Sequence, residues 1–197
     1  MVFSSLQFIL IFMPIFFTVY YLTSERYRNA VLLAGSLAFY FAGTINAPVH
    51  FLLFIVSIAA DYTAGIFIEK QQNRKKTILF CTVGFHLICL CIFKYANFVF
   101  GELGKFYNGF PALNEIILPI GISFYTFQGI SYIADVYRGK IRAERNLTNF
   151  AVYISMFPQL IAGPIVTYSE ISDRLKLRKT ALKNVLQGIG IHIRSRT

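Results

Sequence analysis

The chain has 197 residues, 56% of them hydrophobic, 17% aromatic and only 14% charged, with a mean hydropathy of +0.57. Soluble domains carry about 25% charged residues, and one of this size cannot hide so much apolar surface, because burial is limited by surface-to-volume scaling. The net charge of +10 would point to nucleic acid in a soluble protein. Here the cations fall in the gaps between apolar runs, where membrane topology places them, and no nucleic-acid partner is expected.

The first uncharged run, 4–22, is long enough to cross a bilayer at about 1.5 Å per residue. It lacks the basic start and small-residue cleavage site of a signal peptide: no Lys or Arg precedes Phe3, and Val19, Tyr20, Tyr21 and Leu22 close it. An uncleaved anchor is expected. The second run, 30–43, is short for a span and leads to the turn Asn46-Ala47-Pro48. The third, 49–68, contains one charge, Asp61, and is followed by the cluster Lys70, Arg74, Lys75 and Lys76. The fourth, 77–93, is extended by 95–100 across Lys94. A polar loop, 101–115, follows, broken by Gly101, Gly104, Gly109 and Pro111. The fifth run is 116–134 and the sixth 147–166, and the tail from Thr167 is amphipathic and basic.

Charge sets the orientation. The loops carry net +1 (23–29), +3 (69–76), −1 (101–115) and +3 (136–146), which places the N-terminus outside and alternates inside and outside from there. The tail, with seven cations against Glu170 and Asp173, is net +5 and belongs inside, which is impossible if the sixth run crosses. That run contains Pro158, Gly163 and Pro164, which break helices. A broken segment is tolerated in a membrane where it packs inside protein or lines a wet cavity. The expectation is therefore an all-α transmembrane bundle of about five spans, plus a re-entrant segment at 147–166 that returns to the cytoplasmic side.

Polar residues within membranes are functional candidates. In the fifth run, Gly121, Tyr125, Gln128 and Tyr132 fall on one helix face, either as helix-packing contacts or as the wall of a polar cavity. Asp61 reads as a structural pair or helix-end cap, with Lys94 the near-span cation, or else as a proton relay. His50, His86 and His192 stand alone in sequence and read as structural. Cys81, Cys89 and Cys91 lie in one apolar run and read as small apolar residues, with no disulfide framework and no metal set. No Gly-rich phosphate loop, Gly-x-Ser-x-Gly, His-Glu-x-x-His or Cys-x-x-Cys is present, and no cofactor is expected. The basic stretch 174–183 suits anionic headgroups or an acidic carrier protein, or serves only to fix topology.

Four stretches occur together: Met1-Val2-Phe3-Ser4-Ser5-Leu6-Gln7-Phe8, Phe93-Lys94-Tyr95-Ala96-Asn97-Phe98, Leu118-Pro119-Ile120-Gly121-Ile122-Ser123-Phe124-Tyr125-Thr126-Phe127-Gln128 running on to Tyr132, Asp135, Tyr137, Arg138 and Gly139, and Phe157-Pro158-Gln159-Leu160-Ile161-Ala162-Gly163-Pro164-Ile165. In this order they resemble the membrane-bound O-acyltransferase family, in its alginate O-acetylase branch, over residues 1–188. The resemblance implies a bacterial inner-membrane, multi-pass enzyme that moves an acyl group, usually acetyl, to hydroxyls of a surface polysaccharide such as alginate. It further implies an acyl donor or carrier protein at the cytoplasmic face and a polysaccharide acceptor outside. Tyr125, Gln128, Tyr132, Pro158, Gln159 and Pro164 would line or brace its funnel.

Members of that family are usually more than twice this length, and their catalytic histidine lies in a later segment that none of His50, His86 or His192 matches. Residues 189–197 also depart from the family pattern. The expectation is an N-terminal portion, from a truncated or frameshifted gene or a fragment, that carries no catalytic residue and is inactive alone. A transport component or a non-catalytic membrane scaffold is the alternative.

Overall fold

In the computed structural model, residues 6, 8–106, 117–162 and 166–176 are described. Every regular element among them is helical. A π-type stretch, Phe8–Phe12, runs into α1 (Met13–Leu22), and a 3-10 turn, Glu25–Tyr27, leads to α2 (Arg28–Gly43). Then come α3 (Pro48–Lys70), α4 (Lys75–Phe106), α5 (Ile122–Tyr137), α6 (Leu147–Ser155), α7 (Phe157–Ala162) and α8 (Tyr168–Lys176).

The stretches Pro48–Lys70 and Lys75–Val99 are long and apolar enough to cross a bilayer, and Phe8–Leu22 is a shorter apolar stretch. Only 11% of the apolar window in α4 is buried, with Phe80, Leu87, Ile88, Ile92 and Phe98 exposed. A soluble core helix would be covered; an uncovered one of this length suits lipid. Lys94 lies beside the Tyr95 ring on this surface, so it does not interrupt the helix.

The elements differ from the apolar runs where backbone chemistry intervenes. The fifth run starts at 116, but α5 starts at Ile122, because Pro119 cannot donate a helical hydrogen bond and Gly121 is left-handed at φ 69°. A side chain at 121 would also meet the Leu160 carbonyl oxygen at 3.0 Å. The sixth run divides at Met156 (ψ 109°). Pro158 has no N–H for the Ile154 carbonyl, and its ring would crowd that carbonyl in a continuous helix.

The three helices α3, α4 and α5 pack together, and α2 packs on α6. The residues next to the cationic loops meet on one face. Asn29 Nδ2 donates to Asn149 Oδ1 at 2.8 Å and to the Leu175 carbonyl at 3.0 Å. Arg145 pairs with Glu69 at 2.8 Å, and Tyr62 donates to the Arg145 carbonyl at 2.6 Å. The stretch 144–162 folds back on itself. It runs inward along α6, for about 13 Å at 1.5 Å per residue, and turns at Met156. By Tyr168, whose hydroxyl donates to the Glu144 carboxylate, the chain is back at its starting face. At the tip, Phe157 sits among Phe8, Phe12, Phe16 and Phe39, with ring centroids 5.3–5.9 Å apart.

Candidate functional site

The interior of the bundle holds two polar constellations. The first follows α5. Tyr125, Gln128 and Tyr132 are all buried, as their shared helix face requires, and Thr126 and Gly129 are buried beside them. Tyr125 and Tyr40 both pack on the Phe54 ring, at 5.1 and 4.1 Å. On the facing hairpin, Gln159 is buried and Pro158 is exposed at the second position of α7. Pro164 and His192 lie outside the described residues, as do residues 189–197.

Several buried polar atoms on these facing surfaces have no hydrogen-bond partner among the described residues: the Tyr40 and Tyr125 hydroxyls, Thr126 Oγ1, Gln128 Oε1, Ser155 Oγ and Gln159 Nε2. Most buried polar groups are satisfied, so a row of open ones calls for an explanation. They are neutral hydroxyls and amides. As a set they can donate to and accept from hydroxyl, ester or amide groups; they cannot neutralise a charge. Nearby groups are satisfied within the fold: the Phe157 N–H donates to Ser36 Oγ at 3.4 Å, and Tyr153 donates to the Gln128 and Val166 carbonyls at 3.4 and 3.2 Å.

The second constellation joins α3, α4 and α5. Asp61 Oδ1 lies 2.7 Å from His86 Nε2, and both side chains are 1% exposed. Asp61 is thus in a structural pair, but its partner is His86 and not Lys94. The two positions lie at nearly the same height on either side of the turn at 71–74, and an antiparallel helix hairpin sets such positions level. That reflection is the sequence signal for the pair. Asp61 Oδ2 has no hydrogen-bond partner among the described residues. It rests against Gly129, where a Cβ would fall on the carboxylate, an approach open only to glycine. His50 is buried against the Phe93 ring at 5.5 Å.

Both ends of the hairpin meet at Glu144, which looked in the sequence like one acid among loop cations. Its Oε1 accepts from the Arg145 and Asn146 N–H groups at 2.9 and 2.8 Å, its Oε2 accepts from Tyr168, and its own N–H donates to the Tyr132 hydroxyl at 2.9 Å. Burial, and then the adjacent carboxylate, push the Tyr168 phenol above its ordinary value. Tyr132, singled out as a funnel residue, therefore ties α5 to the foot of the hairpin. Its ring lies against Gly65, where a Cβ would come within 2.8 Å. Among the described residues, no group of three or more His, Cys, Asp or Glu side chains is placed to hold a metal.

Comparison with known proteins gives similarity along the residues this chain contains: it resembles curated proteins named O-acetyltransferases, among them probable alginate O-acetylases. It is 38% identical over 195 residues to the probable alginate O-acetylase AlgI of Pseudomonas aeruginosa, covering 95% of this chain and 37% of the relative. It is 40% identical over 197 residues to that of Azotobacter vinelandii, covering 95% and 38%. The peptidoglycan O-acetyltransferase of Helicobacter pylori is 27% identical over 207 residues, covering 89% and 39%. The chain spans about two fifths of the length of the curated relatives it matches. No family model and no solved structure matches it.

Proposed function

We propose that this chain is the N-terminal part of a multi-pass inner-membrane O-acyltransferase that moves an acyl group, in the simplest case acetyl, to hydroxyls of a cell-surface polysaccharide such as alginate. The observation that carries this reading is the row of open hydroxyl and amide groups on α2, α5 and the α6–α7 hairpin, enclosed by a surface that suits lipid. A bilayer interior has no water to satisfy such groups, and an acyl ester with its acceptor hydroxyl supplies the matching acceptors and donors. Tyr125, Gln128 and Gln159 are the wall residues in this reading, Tyr132 braces the wall, and Pro158 sets the break that turns the hairpin.

The shorter helices complete about five crossings, and the hairpin is the re-entrant segment. The cationic loops and α8 then lie at the cytoplasmic face, where the acyl donor or carrier enters, and the polysaccharide is met outside. No general base is assigned to this chain, so it is inactive by itself.

The test is complementation in an alginate-producing bacterium lacking its own O-acetylase. The chain is expressed alone, and together with the remaining three fifths of a relative as a separate polypeptide. Acetyl esters on the polymer, measured by proton NMR, should appear only in the second case. Polymer without acetyl esters, with both polypeptides present in the membrane, refutes the assignment.

A further inference from the structure

We propose that the end of the α3–α4 hairpin, together with the loop after α5, is a binding site for an anionic phospholipid. Lys70, Arg74 and Lys76 are exposed at the hairpin end, and Arg138 and Arg142 are exposed on the neighbouring loop. The two loops are held side by side by Glu69, which accepts from the Ala143 N–H at 3.2 Å and pairs with Arg145, and by Lys75 over the Tyr137 ring at 5.3 Å. The acids nearby are already engaged: Glu69 with Arg145, Asp135 with Lys140 at 3.5 Å, and Glu144 in its buried hub. Lys70, Arg74, Lys76, Arg138 and Arg142 form no ion pair among the described residues. Lys70 and Arg74 also flank a recess of about 500 Å³ floored by Gln71, Gln72 and Asn73.

The depth of the patch chooses lipid over a soluble acidic partner. Lys70 ends α3, Lys75 and Lys76 begin α4, and Arg138 follows the last residue of α5, so the cations sit where membrane-length helices leave the apolar layer. One turn further in, Phe67 and Phe80 are exposed, at positions i−3 from Lys70 and i+4 from Lys76, hence on the same helix faces. Cations above exposed rings match a molecule with an anionic head and an apolar tail.

The site rests on the membrane reading above, which is checked separately by whether the chain stays with cell membranes after an alkaline carbonate wash. The purified chain in mild detergent is then titrated with phosphatidylglycerol or phosphatidylcholine, and retained lipid is counted by native mass spectrometry. Each cation near an anionic surface contributes about five-fold in affinity. The variant K70Q/R74Q/K76Q should lose phosphatidylglycerol on the order of 100-fold, and R138Q/R142Q about 25-fold. A control cation farther along α4 and outside the patch, K94Q, should change less than about three-fold. For the unaltered chain, retention should fall in 0.5 M salt and favour phosphatidylglycerol at least about ten-fold over phosphatidylcholine. Equal retention of the two lipids, or equal loss in the K94Q control, overturns the proposal. So does displacement of phosphatidylglycerol by polyglutamate offered at equal charge, which assigns the patch to an acidic protein.

Discussion

Gly129→Ala is the sharpest probe of the three-helix contact at Asp61. In an exposed helix, Gly to Ala stabilises by about 1 kcal/mol. At 129 the new Cβ falls on the Asp61 carboxylate, so α3 and α5 must separate or Asp61 must swing away from His86. Overpacking costs about 1–3 kcal/mol. Loss of a buried hydrogen bond between groups of this kind costs about 1.5–3 kcal/mol, and the two effects are partly alternatives. Set against the propensity gain, the net destabilisation is about 2–4 kcal/mol. Gly84 in α4 is the control, because a Cβ there meets nothing within 4 Å; Gly84→Ala should be neutral or stabilising by up to about 1 kcal/mol. Unfolding in mixed detergent micelles, followed by far-UV circular dichroism, compares the two. The double variant D61A/G129A should be less destabilised than the sum of its single changes, since the clash is gone. Equal stability of G129A and G84A, or simple additivity with D61A, would falsify the contact.

Asp61→Leu and His86→Leu should each cost about 3–5 kcal/mol by stranding the other group, while the double leucine variant recovers most of that loss in the same unfolding assay. Tyr168→Phe removes one donor from the buried Glu144 carboxylate and should cost about 1.5–3 kcal/mol, visible as faster proteolysis within α8, Tyr168–Lys176. Tyr125→Phe deletes a hydroxyl that has no partner among the described residues, so stability should hold or rise slightly while acetylation in the split-complementation assay falls; a stability loss above about 1 kcal/mol would mean the hydroxyl is satisfied. In a background with Cys81, Cys89 and Cys91 replaced by alanine, single cysteines at Arg74, Arg142 and Ser169 should all label with a membrane-impermeant maleimide from the same side. Labelling of Ser169→Cys from the opposite side sinks the re-entrant hairpin.

Apolar runs located most helices, because a residue's solvent is a property of its own side chain. The limits of those helices were less visible. Pro119 marks a break within 116–134, but the start of α5 at Ile122 is set by a left-handed Gly121 pressed against Leu160, a contact made only in the folded chain. The shared face of Tyr125, Gln128 and Tyr132 was legible because it depends on helical period alone. Their neighbours were not: the Phe54 ring shared by Tyr40 and Tyr125, and the Phe150 ring and Glu144 N–H against Tyr132, come from elements whose relative rotation no single run encodes. The Asp61–His86 pair is an intermediate case, recoverable once the turn at 71–74 is taken as a mirror.

The hairpin's foot and tip have different requirements. A segment that begins and ends at the same face must bring its two ends together, and polar backbone at that junction needs partners. Glu144 supplies them: its carboxylate satisfies two N–H groups at the start of α6 and the Tyr168 hydroxyl at the start of α8. The tip has the opposite requirement, and Phe157 meets it with an apolar cluster that draws on the π-type stretch, α1 and α2. The hairpin is thus held by acceptors at its foot and by rings at its tip, and in the proposed reading the wall residues Gln128 and Gln159 lie between these two fixed ends. A change at the foot or the tip should move that wall as a unit, so Glu144→Gln and Phe157→Ala should alter acetylation together with stability. Changes at Tyr125, in the middle, should separate the two.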